Sequence, residues 1–323
     1  MSNRIIVTRR LPGAVEAELS SRLGASLNPD DRQFTPDELA AALRDADIVL
    51  CTLTDPLTSD VFESARPART RLLSNFGVGF NHIDLDTART AGIAVTNTPG
   101  VLTEDTADHT MLLMLAVMRR SSEGERELRD GHWTGWRPTH LLGRRLSSKT
   151  LGIVGFGRIG QAVARRAHQG FGMRVLYTSR RRADPAAERI AGAEWCEDLD
   201  CLLEEADVVS LHCPATPETY HLMNRDRIAR MRRGAVLVNT SRGDVVDEVA
   251  LVAALEAGSI AGAALDVFEH EPQVHPGLLA LDKVVLVPHL GSATMESRVA
   301  MGMRAIANID AFVAGRELPD RIA

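Results

Sequence analysis

The chain reads as an α/β protein of two domains, each organised on a parallel sheet, and three observations predict it. Short β-branched runs alternate with amphipathic helical patterns over most of its length, as strands joined by crossover helices do. One run, Leu151-Gly152-Ile153-Val154, leads into a glycine-punctuated turn and then a helical pattern from Gln161 to Ala167. The 323 residues, 45% hydrophobic and 25% charged, supply apolar material for two cores.

The first hundred residues lay out the first sheet. Ile5-Ile6-Val7, Ile48-Val49-Leu50, Arg71-Leu72-Leu73 and Ile93-Ala94-Val95 read as buried strands, with helical patterns at Ala14 to Leu23 and Pro36 to Leu43. After the third run comes Asn75-Phe76-Gly77-Val78-Gly79-Phe80-Asn81. Glycines on both sides of Val78 would open backbone N–H groups at a strand's carboxyl end, where they serve an anion or simply make a turn. Thr103-Glu104-Asp105 reads as a cap and acidic first turn of a long helix through Met118 and on towards Arg129. The irregular stretch Trp133 to Pro138 holds two of the three tryptophans, either as an arm for a partner subunit or as a locally packed loop.

The second sheet opens at Thr150. In Gly155-Phe156-Gly157-Arg158-Ile159-Gly160, the first glycine permits the turn, the second lets backbone approach a pyrophosphate, and the third lets the helix pack closely on the strand. The strand before and helix after supply the context that this motif requires of a dinucleotide site. Further strand runs end in polar residues: Val175 to Tyr177 into Ser179-Arg180, Val208 to Leu211 into Cys213-Pro214, Val236 to Val238 into Asn239-Thr240-Ser241-Arg242-Gly243. Ala263 to Leu265 ends at Asp266, and Val284 to Val287 at Pro288-His289. Ligands of open α/β sheets sit beyond the strands' carboxyl ends, so these termini are expected to converge on one crevice. The last segment, Ser292 to Val313, carries Val299, Met303, Ile306, Ile309 and Val313 at helical spacing with a cap at Ser292. It cannot form another βα unit and is expected to return to the first domain.

Composition narrows the function. A formal charge of −6 opposes general binding to nucleic acid or to an anionic membrane. Cys51, Cys196, Cys201 and Cys213 form no C-x-x-C pair, which favours a reduced, cytoplasmic chain, and His212-Cys213 lacks the spacing of a metal motif, so no metal is expected. The N-terminal charges do not suit a secretory signal, and Met111 to Met118 is far short of the ~20 residues that cross a bilayer.

The stretches TEDTADHTMLLMLAV, LGIVGFGRIG, NTSRGDVVDE, AALDVFEHEP and PHLGSAT, in that order, resemble the D-isomer-specific 2-hydroxyacid dehydrogenase family, and within it the glyoxylate/hydroxypyruvate reductases. The resemblance runs from about Gly77 to Pro288 and beyond. It implies a Rossmann-like cofactor domain, residues 102–289, inserted into a flavodoxin-like substrate domain of residues 1–101 and 290–323. It implies further that Arg242 binds the substrate carboxylate and carbonyl, that His289 is the proton donor, and that Glu271 is its partner. Val78 and Gly79 would offer N–H groups to the carboxylate. Arg158 and Ile159 would lie on the pyrophosphate, Thr240 and Asp266 near the nicotinamide half, and Cys213 and Pro214 along the nucleotide, with Gly291 a further cofactor contact.

These roles agree with the chemistry of reducing a 2-keto acid. Negative charge grows on the carbonyl oxygen, so an imidazolium must supply a proton while a guanidinium holds the acid in register. One position separates cofactors: where NAD-binding folds place an acid, this chain has Ser179-Arg180-Arg181-Arg182, three guanidiniums that suit a 2′-phosphate. NADP(H) is therefore expected over NAD(H). The expected protein is a cytoplasmic homodimer reducing small 2-keto acids, glyoxylate and hydroxypyruvate first. A 2-ketogluconate reductase, or a nucleotide-sensing scaffold without turnover, are the alternatives. His140 stands where some of these reductases carry an aromatic residue in the arm, which makes the substrate less certain than the reaction.

Overall fold

A computed structural model describes residues 3–323, which divide into two compact units: residues up to Leu102 together with Ala293–Ala323, and Thr103–Ser292. Both are α/β, and every strand pair is parallel.

The first unit carries β1 (Ile5–Val7), β2 (Ile48–Thr52), β3 (Leu72–Phe76) and β4 (Ala94–Thr96), in that spatial order. Ser26 bridges Ile6 in parallel on the side of β1 away from β2, giving the flavodoxin-like order. Strands β2 and β3 are buried throughout, so they read as continuous apolar runs rather than alternating ones. Ahead of β2 the helix Pro36–Asp45 begins with a capping box, Thr35 and Glu38 bonding each other's backbone N–H. Asp55, fully buried, accepts the Thr8 hydroxyl at 2.5 Å and the Thr52 N–H at 2.7 Å on Oδ2, while its Oδ1 has no partner among the described residues. Burial pushes the Asp55 carboxyl above its usual range, against the pull of those hydrogen bonds.

The helix Met295–Val313 completes this unit on β3, where the Ser74 hydroxyl donates to the Ala305 carbonyl at 3.2 Å. Its cap is Thr294, which accepts the Ser297 N–H at 3.1 Å, and not Ser292 as expected. Its buried face is Met301, Gly302, Ala305, Ile306 and Ile309, whereas Met303 and Val313 are exposed. The expected Ile306 and Ile309 lie on that face, and a count of large apolar residues misses the small ones that let the helix in: a Cβ on Gly302 would run into the Val15 side chain.

The second unit has β5 (Thr150–Val154), β6 (Arg174–Thr178), β7 (Ala193–Trp195), β8 (Val208–Leu211), β9 (Val236–Asn239), β10 (Gly262–Leu265) and β11 (Val284–Leu286). Their order, β11-β10-β9-β8-β5-β6-β7, is Rossmann-like and turns back between β5 and β8, the place where such sheets bind nucleotides. Strand β7 was not expected: Ala-Glu-Trp is short, lies at the edge and has no β-branched residue. The long helix reaches Met118 as expected but does not continue to Arg129. The helix Thr103–Met118 ends because the N–H of Arg144 takes the Met118 carbonyl at 2.7 Å, and Arg120 adopts a left-handed conformation (φ 55°) before a second helix, Ser121–Arg129. No helix among the described residues is long and apolar enough to cross a membrane.

Candidate active site

Strand β5 delivers the glycine loop to the edge where β8 ends. Gly155 has φ 95°, and a Cβ there would come within 2.5 Å of the Cys213 backbone nitrogen. A Cβ on Gly160 would strike the Gly155 carbonyl, whereas Gly157 is exposed with open space beside it. The helix Arg158–Phe171 makes its first hydrogen bond from Gln161 N–H to the Gly157 carbonyl, at 3.0 Å. The N–H groups of Arg158, Ile159 and Gly160 therefore lack intrahelical acceptors and carry the positive end of the helix dipole. An open, glycine-lined cradle ending on free N–H groups fits a pyrophosphate. Cys213 is buried beneath it, its thiol pushed up to about 11 by burial, and Pro214 is exposed beside it.

The basic turn after β6 is less uniform than expected. Arg182 makes a two-pronged pair with Glu188 at 2.8 and 3.0 Å and lies over the Trp195 ring. Glu188, held down to about 2 chiefly by Arg182, also accepts the Tyr177 hydroxyl at 2.6 Å. Arg182 thus belongs to the local framework, which reduces the expected three guanidiniums to Arg180 and Arg181, both exposed. The Ser179 hydroxyl shapes this turn by donating to the Arg181 carbonyl at 2.6 Å.

Three strand ends build the remaining site. After β9, the Asn239 side chain accepts the Ser241 N–H and hydroxyl and donates to the Arg242 carbonyl, folding N-T-S-R-G into a fixed turn. Gly243 sits so close to the segment after β10 that a Cβ would overlap the Phe268 carbonyl. This contact brings the Arg242 turn onto the loop bearing Glu271. The guanidinium of Arg242 is lowered from its usual value by burial, with Glu271 and Asp244 acting the other way. It remains a cation at neutral pH.

Glu271 accepts the Phe268 N–H on Oε1 at 3.1 Å and the His289 Nδ1–H on Oε2 at 2.9 Å. Burial would raise its carboxyl, but the His289 hydrogen bond and charge, with Phe268 and Arg242, hold it below the usual carboxylate range. An ionised carboxylate can only accept, so Nδ1 of His289 carries a proton and Nε2 is left for exchange with a ligand. His289 itself has φ 54°. Asp266 accepts the Leu290 and Gly291 N–H groups at 2.6 and 2.8 Å, so its side chain is engaged with the His289 loop as well as lying at the end of β10. Thr240 bonds Thr110 at 2.9 Å; Thr110 gives its own proton to the Thr106 carbonyl, which makes Thr240 the donor.

In the first unit, Asn75 donates to the Gly77 and Gly79 carbonyls and Asn97 to that of Val78, so the loop after β3 is pinned through its carbonyl groups. His140 pairs with Glu127 of its own chain at 3.0 Å. Residues that sequence reasoning passed over are Asn239 and Gly243, which shape the Arg242 turn, and His109, which bonds Asp266. Gly243 had a usable signal in directly following Arg242; His109 had none beyond its place on a helix.

Residues 111–291 match the family described as D-isomer specific 2-hydroxyacid dehydrogenase, NAD binding domain. The glyoxylate reductase of Thermococcus onnurineus is 43% identical over 323 residues, 99% of this chain and 95% of that protein. The chain belongs to the D-isomer-specific 2-hydroxyacid dehydrogenases. As a member of that family it is an oxidoreductase with a nicotinamide-cofactor domain, the second unit. Glyoxylate reductase from Korarchaeum cryptofilum is 45% identical over 326 residues, 100% of this chain and 96% of that one. Among solved structures, the NADPH-dependent glyoxylate/hydroxypyruvate reductase of Sinorhizobium meliloti, in complex with NADP and malonate, superimposes with a TM-score of 0.87 at 33% identity, covering 100% of this chain and 97% of that one.

Proposed function

We propose that this dehydrogenase reduces small 2-keto acids, glyoxylate and hydroxypyruvate first among them, with NADPH preferred over NADH. The observation that carries the reading is the 2.9 Å hydrogen bond from His289 Nδ1 to Glu271, which orients the imidazole and leaves Nε2 available to a substrate oxygen. NADPH, when bound, supplies the hydride. The N–H groups of Arg158, Ile159 and Gly160 would hold its pyrophosphate at the Gly155–Gly157 cradle, with Cys213 and Pro214 along the nucleotide. Arg180 and Arg181, with Ser179, would hold the 2′-phosphate, Thr240 and Asp266 would lie near the nicotinamide half, and Gly291 would be a further cofactor contact. Arg242 binds the carboxylate and carbonyl of the keto acid, and the family resemblance makes Val78 and Gly79 candidates to offer N–H groups to a carboxylate. His289 gives its Nε2 proton to the carbonyl oxygen as charge develops there, and Glu271 stabilises the imidazolium beforehand.

The names of the relatives support glyoxylate as substrate, and the exposed pair Arg180 and Arg181, with no acid at the end of β6, supports NADPH. The working form in this reading is a cytoplasmic homodimer joined through the region from Met111 to Trp136, where Leu112, Leu128, Trp133 and Trp136 are more than half exposed. Light scattering at micromolar concentration should give the mass of two chains. The deciding assay follows NADPH absorbance with glyoxylate, hydroxypyruvate, pyruvate and 2-ketogluconate. Turnover fastest with the first two is expected; no turnover with any of them would remove the reading.

A further inference from the structure

His289 must hold a left-handed backbone, with φ 54°, although it is not glycine. Such a conformation persists only where its surroundings enforce it. Here three consecutive N–H groups are bound by one residue: that of His289 by the Asp266 carbonyl at 2.9 Å, that of Leu290 by Oδ1 at 2.6 Å and that of Gly291 by Oδ2 at 2.8 Å. The kink at His289 is therefore as well defined as the Asp266 side chain.

Asp266 is 1% exposed, so its carboxylate has little help from solvent. The ionisable side chain that bonds it is His109, on the helix Thr103–Met118, with Nε2 at 3.2 Å from Oδ1. The helix is itself fixed against the same strand ends. Thr110, the next residue, bonds Thr240, and a Cβ on Gly291 would lie 3.5 Å from the Thr106 methyl. His109 thus stands behind Asp266, and Asp266 behind the His289 loop.

We propose that His109 is a positioning residue for keto-acid reduction. It orients the Asp266 carboxylate so that both oxygens meet the N–H groups of Leu290 and Gly291, and by that route it aims the His289 imidazole. The inference rests on His289 being the proton donor.

The test is a double-mutant cycle on the full-length chain, with kcat for glyoxylate reduction and the NADPH Kd from fluorescence titration as separate readouts. His109→Leu should lower kcat by about ten- to a hundredfold, the scale of a misplaced reacting group, and leave the NADPH Kd within about twofold. His109→Gln retains an N–H donor and should recover most of the rate. Added to His289→Asn, His109→Leu should cost little more, because the group it aims is already gone. If His109→Leu does not fold, His109→Asn, whose amide stops short of Asp266, takes its place in the cycle. Wild-type kcat in the variant, a loss confined to NADPH binding, or losses that multiply in the double variant would each overturn the proposal. Near-wild-type turnover by His289→Asn alone would instead overturn the reading of His289, and this inference with it.

Discussion

His289 donates through Nδ1 to Oε2 of Glu271 at 2.9 Å, while the other carboxylate oxygen is held by the Phe268 N–H. The histidine's hydrogen bond and charge help hold Glu271 below the usual carboxylate range, against burial. Glu271→Gln keeps the shape and removes the charge. An amide does not favour a charged neighbour as a carboxylate does, so the alkaline limb of keto-acid reduction should move down while activity at acidic pH persists. His289→Asn should lower reduction at all pH values by about 10²–10⁴, with NADPH binding retained. The pH profile at saturating NADPH checks both, and an unmoved limb in Glu271→Gln would break the pair.

The arginines after β6 should separate by role. Arg180→Ala is expected to reduce the NADPH:NADH preference about ten- to a hundredfold, the effect of one charge-assisted contact to a phosphate. Arg182→Ala, whose target is Glu188, should leave that ratio nearly unchanged. Steady-state kinetics with each cofactor distinguishes them; equal losses with both cofactors in Arg180→Ala would show that it does not read the phosphate.

Gly243→Ala tests how the Arg242 turn is held. The added methyl group overlaps the Phe268 carbonyl, so one of the two loops must move. A fall in kcat/KM of about 10² is expected, with the NADPH Kd little changed, because the glycine cradle lies on another strand end. Unchanged kinetics would mean that the loops separate without consequence for the chemistry.

Asp55 links stability to pH in the first unit. Its carboxyl is raised by burial, so the folded chain keeps this proton to higher pH than the unfolded chain does. From its ordinary value near 3.8 upward, the folded state binds more protons than the unfolded one, and the stability contributed by protonated Asp55 is lost as pH rises through the raised value. Asp55→Asn removes this dependence. Urea midpoints at pH 4.5 and pH 7 should shift in favour of the variant, relative to wild type, at the higher pH; a difference that is constant with pH would contradict the assignment.

Much of this molecule was legible because parallel strands covered on both faces announce themselves as apolar runs, as Ile48 to Leu50 and Val208 to Leu211 do. The residues at the strand ends were legible as well, since chemistry at the carboxyl edge of a sheet collects in short polar stretches. What escaped depended on partners that no local sequence pattern names. His109 and Asp266 are 157 positions apart, and the commitment of Arg182 to Glu188 is a matter of side-chain direction. The break after Met118 arises from a backbone group of Arg144, which no periodicity on the helix can signal.

The first unit is assembled from both ends of the sequence, and this sets an order on its synthesis. On a ribosome, β1 to β4 emerge with the surface around Ser74 and Val15 still uncovered, and stay so while the whole 103–292 segment is translated. The inserted unit has all its strands in one stretch and can close on itself first. Only when the residues from Ala293 onward leave the exit tunnel can Ala305 meet Ser74, Arg304 and Asn308 engage Asp320, and the N–H of Ile322 reach the Val95 carbonyl. A nascent chain stalled before that point would present an unfinished apolar sheet, and chaperones that hold such surfaces would bind it there rather than at the nucleotide half.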